Sequence, residues 1–216
     1  MRRLSALSVL ILVIPTLVGA CSVLGERGSG TMTSEARDVS GFDAIDLSGS
    51  GTVRISVTGS ESVTVEAEDN ILPLLTTEVR GGTLFLGAKQ SISPTREIVY
   101  TITAVSLTAV TVSGSGSVTA TDVDAGTFEV DISGSGTVAP TGVSQRVDVS
   151  ISGSGAYRGA GLIATTGVVS VAGSGSVVIA ATDDLEVKIS GSGSVEYIGD
   201  PDLSTSITGS GDISRR

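Results

Sequence analysis

The chain has 216 residues, and its 13 basic and 23 acidic side chains give a net charge of −10 at pH 7. This acidity argues against binding to nucleic acid or to anionic lipid surfaces, because like charges repel. The sequence has no histidine and a single cysteine, Cys21. It therefore excludes histidine as a catalytic base, internal disulfides and cysteine-based metal sites.

The first residues follow the pattern of an export signal. Two arginines precede an apolar run from Leu4 to Val18, which leads into Val18-Gly19-Ala20-Cys21. The run is shorter than the roughly twenty residues that span a bilayer, so it favours a signal peptide over residues 1–20 rather than a transmembrane helix. Small residues before the cysteine predict cleavage ahead of Cys21 and attachment of a diacylglycerol with palmitate-type chains to the thiol. We expect an extracytoplasmic envelope protein, at an outer membrane or cell surface, anchored by two or three acyl chains on Cys21.

Residues 21–37 are predicted to form the lipidated N-terminus and a flexible tether. The segment from Ser22 to Arg37 shows no apolar alternation, and small polar segments of this kind behave as linkers. Gly28-Ser29-Gly30 is interpreted as part of that linker. The folded domain is predicted over residues 38–216.

The tripeptide Gly-Ser-Gly occurs seven times in this domain, and its last five steps are 18 to 20 residues long. The positions two and four before the first glycine, and the position four after it, are apolar in nearly every copy, with polar residues between them. Alternation of period two on both sides indicates a strand, a sharp corner and a second strand. Glycine suits such a corner because the chain turns through backbone angles that a Cβ opposes. The predicted structural corner glycines are Gly49, Gly51, Gly114, Gly116, Gly134, Gly136, Gly153, Gly155, Gly173, Gly175, Gly191, Gly193, Gly209 and Gly211.

The period predicts an all-β fold, a parallel β-helix or solenoid. A propeller blade needs about forty residues, and the hairpin signals Asn-Gly and Asp-Gly do not occur, so successive repeats are expected to be parallel. The residues between Gly49 and Gly114 are interpreted as three coils without the glycine signature, with a loop or short helix at Asp69–Leu75. The total is then about nine coils. The strands assigned to those three coils include residues 63–65, 83–86 and 98–102.

Several stretches together carry a family resemblance. They are Val39-Ser40-Gly41-Phe42-Asp43-Ala44-Ile45-Asp46-Leu47-Ser48-Gly49-Ser50-Gly51-Thr52-Val53, Asn70-Ile71-Leu72-Pro73-Leu74-Leu75, Thr77-Glu78-Val79 and Gly82-Thr83-Leu84. From about Val39 onward the chain resembles the GIN-domain family, the "putative auto-transporter adhesin head domain" of bacterial envelope proteins. The resemblance implies a right-handed β-helical fold and a surface location. It supplies no functional residues.

Acidic side chains on the predicted coils are the main candidates for chemistry. Parallel β-helices include polysaccharide-cleaving enzymes, and such enzymes use paired carboxylates. Aromatic platforms for a sugar are scarce here, and the calcium-binding repeat Gly-Gly-x-Gly-x-Asp is absent, so a solvated polar face is the favoured interpretation. The acids concerned are Glu129, Asp131, Asp148, Asp183, Asp184 and Glu186.

A second polar cluster lies beside the irregular segment. It consists of Glu66, Glu68, Asp69 and Asn70. Such residues form either a small site on a protruding loop or a cap and turn, and the cap is the favoured interpretation.

Taken together, these features favour a non-enzymatic lipoprotein without a cofactor that presents an adhesin-like surface to a glycan or protein ligand. One alternative is a structural module that forms homo-oligomers, because solenoid ends expose strand edges that pair with a neighbour. A less favoured alternative is a polysaccharide hydrolase or lyase that uses an acid pair. The corner serines are not expected to be nucleophiles, since the chain has no histidine to activate them.

Overall fold

The computed structural model describes residues 25–216, so the expected signal peptide and the lipid attachment at Cys21 lie outside it. The described residues form strands and one 3-10 turn, Leu72–Leu74. In this part of the chain, no helix is both long and apolar enough to cross a membrane. In chain order the strands are β1 (Glu26–Arg27), β2 (Met32–Arg37), β3 (Ala44–Gly49), β4 (Thr52–Val57), β5 (Ser62–Glu68), β6 (Leu75–Arg80), β7 (Thr83–Ala88), β8 (Ile92–Ser93), β9 (Val99–Ala104), β10 (Ala109–Gly114), β11 (Ser117–Gly134), β12 (Thr137–Gly153), β13 (Ala156–Gly173), β14 (Ser176–Gly191), β15 (Ser194–Ile198), β16 (Asp202–Gly209) and β17 (Asp212–Arg215).

From the corner at Gly114 to the corner at Gly209, the strands stack in parallel as a β-solenoid of about five turns. The strands β3, β4, β7 and β9 add further rungs at one end. Strand segments that precede the corners lie in the order β7, β3, β10, β11, β12, β13, β14, β16. Segments that follow the corners lie in the order β9, β4, β11, β12, β13, β14, β15, β17. Each corner pairs in register with the next, so equivalent positions of successive coils are direct neighbours. The predicted parallel solenoid is confirmed.

The core runs through the centre of the stack. Its side chains come from the three apolar columns around the corners, and these are at most 3% exposed from the first corner to the sixth. Branched aliphatic side chains suit these columns because they fill a pleated, fully buried surface. The last coil differs, since Thr205 and Ile207 are exposed. The predicted inward columns are therefore confirmed for every coil except the last one.

The expected count of nine coils is wrong, because the region between the first two corners is largely a cap. In that region β5 is antiparallel to both β2 and β9, and β6 is antiparallel to β7. Apart from β4 and β10, which adjoin the two corners, the strands of this region that continue the parallel stack are β7, beside β3, and β9, beside β4. Gly81 and Gly82 join β6 to β7 with φ values of +58° and +85°. A tight two-residue hairpin turn needs a positive φ at both of its residues. Gly81-Gly82 was therefore a hairpin signal, whereas the sequence prediction considered only Asn-Gly and Asp-Gly.

The prediction of a flexible tether over residues 21–37 is wrong for the described residues 25–37. There β1 pairs with β8 in parallel, and β2 pairs with β5 along its full length. The outer edge of β5 offers unpaired backbone groups, and β2 satisfies them. The N-terminal segment is thus part of the cap, and Gly28-Ser29-Gly30 connects its two strands.

Candidate functional site

The corners are built by two glycines with different roles. The first glycine of each corner has a positive φ, for example +126° at Gly153, and a Cβ there would lie 2.6 Å from the Gly134 carbonyl oxygen of the preceding corner. The second glycine points into the core, where a Cβ on Gly155 would lie 2.4 Å from Cγ2 of Ile132. The corner backbone is satisfied by the preceding corner, since the Ser154 N–H donates to the Gly134 carbonyl at 2.8 Å. The corners thus form a scaffold.

The outward side chains of the strands before the corners form one mostly polar surface, which we call the serine face. In each coil it contains the residues one and three positions before the first glycine. The residues one position before it are all exposed: Ser48, Ser113, Ser133, Ser152, Ala172, Ser190 and Thr208. The residues three positions before it are Asp46, Thr111, Asp131, Ser150, Ser170, Lys188 and Ser206. The column one position before the glycine was not predicted from the sequence, although an alignment of the seven corners shows it.

Two shallow clefts follow the serine face. One, of about 300 Å³, lies over β12 to β16, and its polar lining includes Ser152, Ser170, Lys188 and Ser190. Because the strands pair in register, Ser150, Ser170, Lys188 and Ser206 stand on four successive rungs. Rungs of a sheet lie about 4.8 Å apart. The cleft therefore offers hydroxyl groups on successive rungs, interrupted by Lys188 in this column and by Ala172 in the neighbouring column. Each hydroxyl can donate and accept a hydrogen bond.

The second cleft, also of about 300 Å³, is acidic and is lined by Glu129, Asp131 and Asp148 together with Ser150 and Ser170. Glu129 and Asp148 are direct cross-strand neighbours. The Asp148 carboxylate accepts a hydrogen bond from Nε of Arg146 at 3.0 Å and forms an ion pair with the same guanidinium at 2.8 Å. Like charges on adjacent rungs repel each other, and Arg146 offsets this repulsion.

The other acids considered for catalysis do not join this cleft. Glu186 forms an ion pair with Lys188 at 2.6 Å, and the Lys188 hydrogen bond and charge hold the pKa of Glu186 below its usual range. A general acid needs a raised pKa instead. Asp183 and Asp184 are exposed and lie outside both clefts. Within residues 25–216, no group of three or more acidic side chains is arranged to hold a metal ion.

Glu68, from the second polar cluster, is 1% exposed and binds the N-terminal segment to the solenoid. Its carboxylate accepts hydrogen bonds from the backbone N–H groups of Gly30 at 2.7 Å, Thr95 at 2.9 Å and Arg96 at 3.3 Å. It also accepts a hydrogen bond from the Thr95 hydroxyl. Burial opposes ionisation, but these hydrogen bonds outweigh it and lower the pKa of Glu68. A Cβ on Gly28 would lie 1.8 Å from the carboxylate, so any side chain there would displace Glu68 from its hydrogen bonds.

Asn70 and Asp69 complete the same attachment. The Asn70 side chain donates to the Arg27 carbonyl at 2.8 Å and accepts the Ser29 N–H at 2.9 Å. The Asp69 carboxylate accepts a hydrogen bond from the Ser29 hydroxyl. Glu66, on β5, is exposed and is not part of this attachment. The structure thus agrees with the cap-and-turn interpretation of this cluster.

The fold and the serine face define a class of protein, the β-solenoid whose stacked rungs display a polar surface. The family model described as "Putative auto-transporter adhesin, head GIN domain" matches residues 41–201, and the chain belongs to this family. The resemblance noted in the sequence is therefore confirmed.

Solved structures of similar proteins support this assignment. A "putative adhesin" from Bacteroides fragilis is 25% identical, with a TM-score of 0.69 over 89% of this chain and 100% of that chain. A "putative lipid binding protein" from Parabacteroides distasonis is 25% identical, with a TM-score of 0.53 over 88% of this chain and 98% of its own. A "putative adhesin" from the same species shares the fold at 21% identity and a TM-score of 0.57, over 89% of this chain and 100% of that one. No curated protein is significantly similar to the sequence.

Proposed function

We propose that the protein is a non-enzymatic, lipid-anchored adhesin of the cell envelope, and that its serine face binds a glycan or protein of the envelope or extracellular space. The observation that carries the proposal is that two in-register columns of the sheet carry mostly hydroxyl side chains on their solvent side. Membership of the adhesin head-domain family supports the same role.

The chemistry of the face suits an extended polar ligand. A serine side chain has one rotatable bond before its hydroxyl, so little conformational entropy is lost when it binds. Most rungs of the serine face carry a hydroxyl group, so a polymer of repeating units can form hydrogen bonds to several of these groups at once. Contacts that are weak singly become strong when they are linked in this way.

The environments of the acids support a role without catalysis. Glu186 and Asp148 each have a basic partner within 3 Å. At Glu186 this pairing lowers the pKa of the carboxyl group and so opposes its use as a proton donor. The acidic cleft is better suited to accept hydrogen bonds from hydroxyl or amide groups of a ligand.

The lipid anchor is proposed from Cys21, which lies a few residues before the first described strand. Since β1 and β2 belong to the cap, an anchor at Cys21 attaches the solenoid to the membrane by its capped end. The serine face then extends away from the membrane towards the last coil.

Binding is tested with two arginine substitutions on either side of the same corner. Ser190 lines the hydroxyl cleft, whereas Ser194 is equally exposed on the strand after the corner and lies outside that cleft. Residues 25–216 are probed on immobilised envelope polysaccharides, peptidoglycan and extracellular-matrix proteins. We expect a ligand that S190R binds at least tenfold more weakly and that S194R binds like the unsubstituted protein. Equal binding by both variants, or no ligand on the panel, would overturn the proposal.

The anchor is tested separately in cells. An alkyne analogue of palmitate should label the full chain, and C21A should abolish both the label and membrane retention. An unchanged label on C21A contradicts the lipid anchor without affecting the proposal for the serine face.

A further inference from the structure

The last coil exposes a long strand edge. Among residues 25–216, β16 pairs with β14 on one side and with no strand on the other. All eight of its residues are exposed, and the inward-facing Leu203 and Ile207 remain 41% and 44% exposed. The same column in the preceding coil, Leu185 and Ile189, is at most 2% exposed. Apolar core positions and unpaired backbone groups thus meet at one surface.

The edge strands at the two ends of the solenoid differ in charge. At the capped end the outer strands carry charges that discourage pairing: Glu35 and Arg37 on β2, and Glu78 and Arg80 on β6. Charged residues on an edge strand are a common device against edge-to-edge association. In contrast, β16 carries one charge, Asp202, at its first position. The difference indicates that the β16 edge is suited to pairing.

We propose that β16 pairs antiparallel with β16 of a second copy of this chain, about a two-fold axis at Thr205. Inward-facing side chains must meet inward-facing ones, because a slip of one residue moves every side chain to the other face of the sheet. Among the registers that satisfy this rule, the one centred on Thr205 sets Leu203 opposite Ile207 of the second copy. It pairs seven residues, 202–208; the register centred on Ser206 also pairs seven, 203–209, but sets Leu203 opposite Gly209 and so forms no apolar pair with Ile207.

The sequence of β16 is self-complementary in this register. It reads Asp-Leu-Ser-Thr-Ser-Ile-Thr from residue 202 to residue 208. Ser204 therefore faces Ser206 of the second copy, and Thr205 faces its own equivalent. Asp202 faces Thr208 of the second copy, so no like charges are opposed within the strand pair. Isologous contacts of this kind close into a dimer and do not propagate.

The pairing is tested by reversing charge at the two-fold axis. Thr205 is exposed in the single chain, so T205K and T205E should fold. Each variant alone places two like charges directly opposite each other, whereas a mixture places Lys opposite Glu. In sedimentation of residues 25–216, we expect a dimer for the unsubstituted chain and at least tenfold weaker association for either variant alone. The mixture should recover a one-to-one heterodimer.

The matched control pair is T165K and T165E, at an exposed threonine on the side of a middle coil. Both should dimerise like the unsubstituted chain. A protein that is monomeric at all concentrations, or T205K and T205E samples that associate unchanged, overturns the proposal. The test is separate from that of the serine face, because Thr205 is an inward-column position that does not line the hydroxyl cleft, whereas Ser190 lines it beside Thr208 of β16.

A cross-link tests the register. Residues 25–216 contain no cysteine, so T205C introduces a single thiol. Opposed residues in an antiparallel pair have Cα atoms about 4.5–5.5 Å apart, which lies within the range of a disulfide. Mild oxidation should give a covalent dimer with T205C and none with T165C. Equal cross-linking of both variants contradicts the two-fold axis at Thr205.

Discussion

Gly155 rests on Ile132 of the preceding coil, at a distance that leaves no room for a side chain: a Cβ on Gly155 would lie 2.4 Å from Cγ2 of Ile132. The same relation recurs between Gly136 and Val112, where the distance is 2.5 Å. From the second corner onward, each second corner glycine therefore lies directly against a core side chain of the preceding coil.

The first prediction concerns this contact. G155A should destabilise the protein by about 1–3 kcal/mol, because the added methyl group forces Ile132 or the coil to shift. Urea unfolding followed by circular dichroism measures the change. The matched control is S154A at the exposed middle position of the same corner, which should stay within about 0.5 kcal/mol. An unchanged free energy of unfolding in G155A would mean that the corner has room for a methyl group.

The second prediction concerns backbone conformation at the first glycine. G153V should cost several kcal/mol, more than G155A, since it combines a φ of +126° with a Cβ 2.6 Å from a backbone oxygen. A backbone oxygen cannot move aside as a side chain can. The comparison uses the same urea titration, and a G153V that is less destabilised than G155A would contradict the assigned roles of the two glycines.

The third prediction concerns the buried hydroxyl of Tyr157. The side chain is 1% exposed, and no hydrogen-bond partner for its hydroxyl lies within the described residues. An unpaired buried hydroxyl opposes folding. Y157F should therefore leave stability unchanged or raise it by about 1 kcal/mol. Thermal unfolding measures the change, and a clear loss of stability would show that the hydroxyl has a partner.

The fourth prediction concerns alkaline pH. Burial raises the pKa of Tyr100 to about 12, with the Arg37 charge opposing the shift, against about 10 in an unfolded chain. Burial also raises the pKa of Tyr157. The unfolded state loses these protons first, so their contribution to stability is complete below pH 10 and is lost as the pH rises towards 12.

The contribution of Tyr100 is on the order of 2–3 kcal/mol. Urea unfolding at successive pH values from 9 to 12 should show this loss, and Y100F should reduce its slope. The same slope in Y100F would mean that another group causes the alkaline unfolding.

The fifth prediction concerns Glu68. E68Q replaces an acceptor of several N–H groups with an amide that offers one oxygen, so the Gly30 and Thr95 amides should exchange faster with deuterium. The matched control, E66Q, alters an exposed acid two residues away on the same strand. Because the pKa of Glu68 is lowered, its contribution is present above the unfolded pKa of about 4.3 and is lost as the pH falls through the lowered value. Equal exchange in E68Q and E66Q would contradict the role of Glu68.

The sequence predicted the regular coils because their contacts repeat. In a parallel solenoid each residue neighbours its own equivalent one period away, so a column such as Val130, Val149 and Val169 can be read directly from the spacing. The corner glycines follow from the same repeat. The serine face was within reach of the same alignment, since its columns share that spacing.

The cap could not be predicted in this way. Val63 and Val65 alternate with polar residues as the coil strands do, yet β5 runs antiparallel to its neighbours. Alternation determines which face of a strand is buried and leaves its direction and partner open. The turn at Gly81 and Gly82 carried a local signal, whereas the pairing of β2 with β5 rests on contacts between residues about thirty positions apart.

By itself, the sequence determined the period, the corners and the inward columns, because these depend on neighbours one repeat away. The tertiary structure alone decided that the N-terminal segment belongs to the cap, that Glu68 is buried among N–H donors, and that Leu203 and Ile207 are exposed. Each of these outcomes depends on which strand lies against an edge. That choice results from the packing of distant segments, which the spacing of residues along the chain does not record.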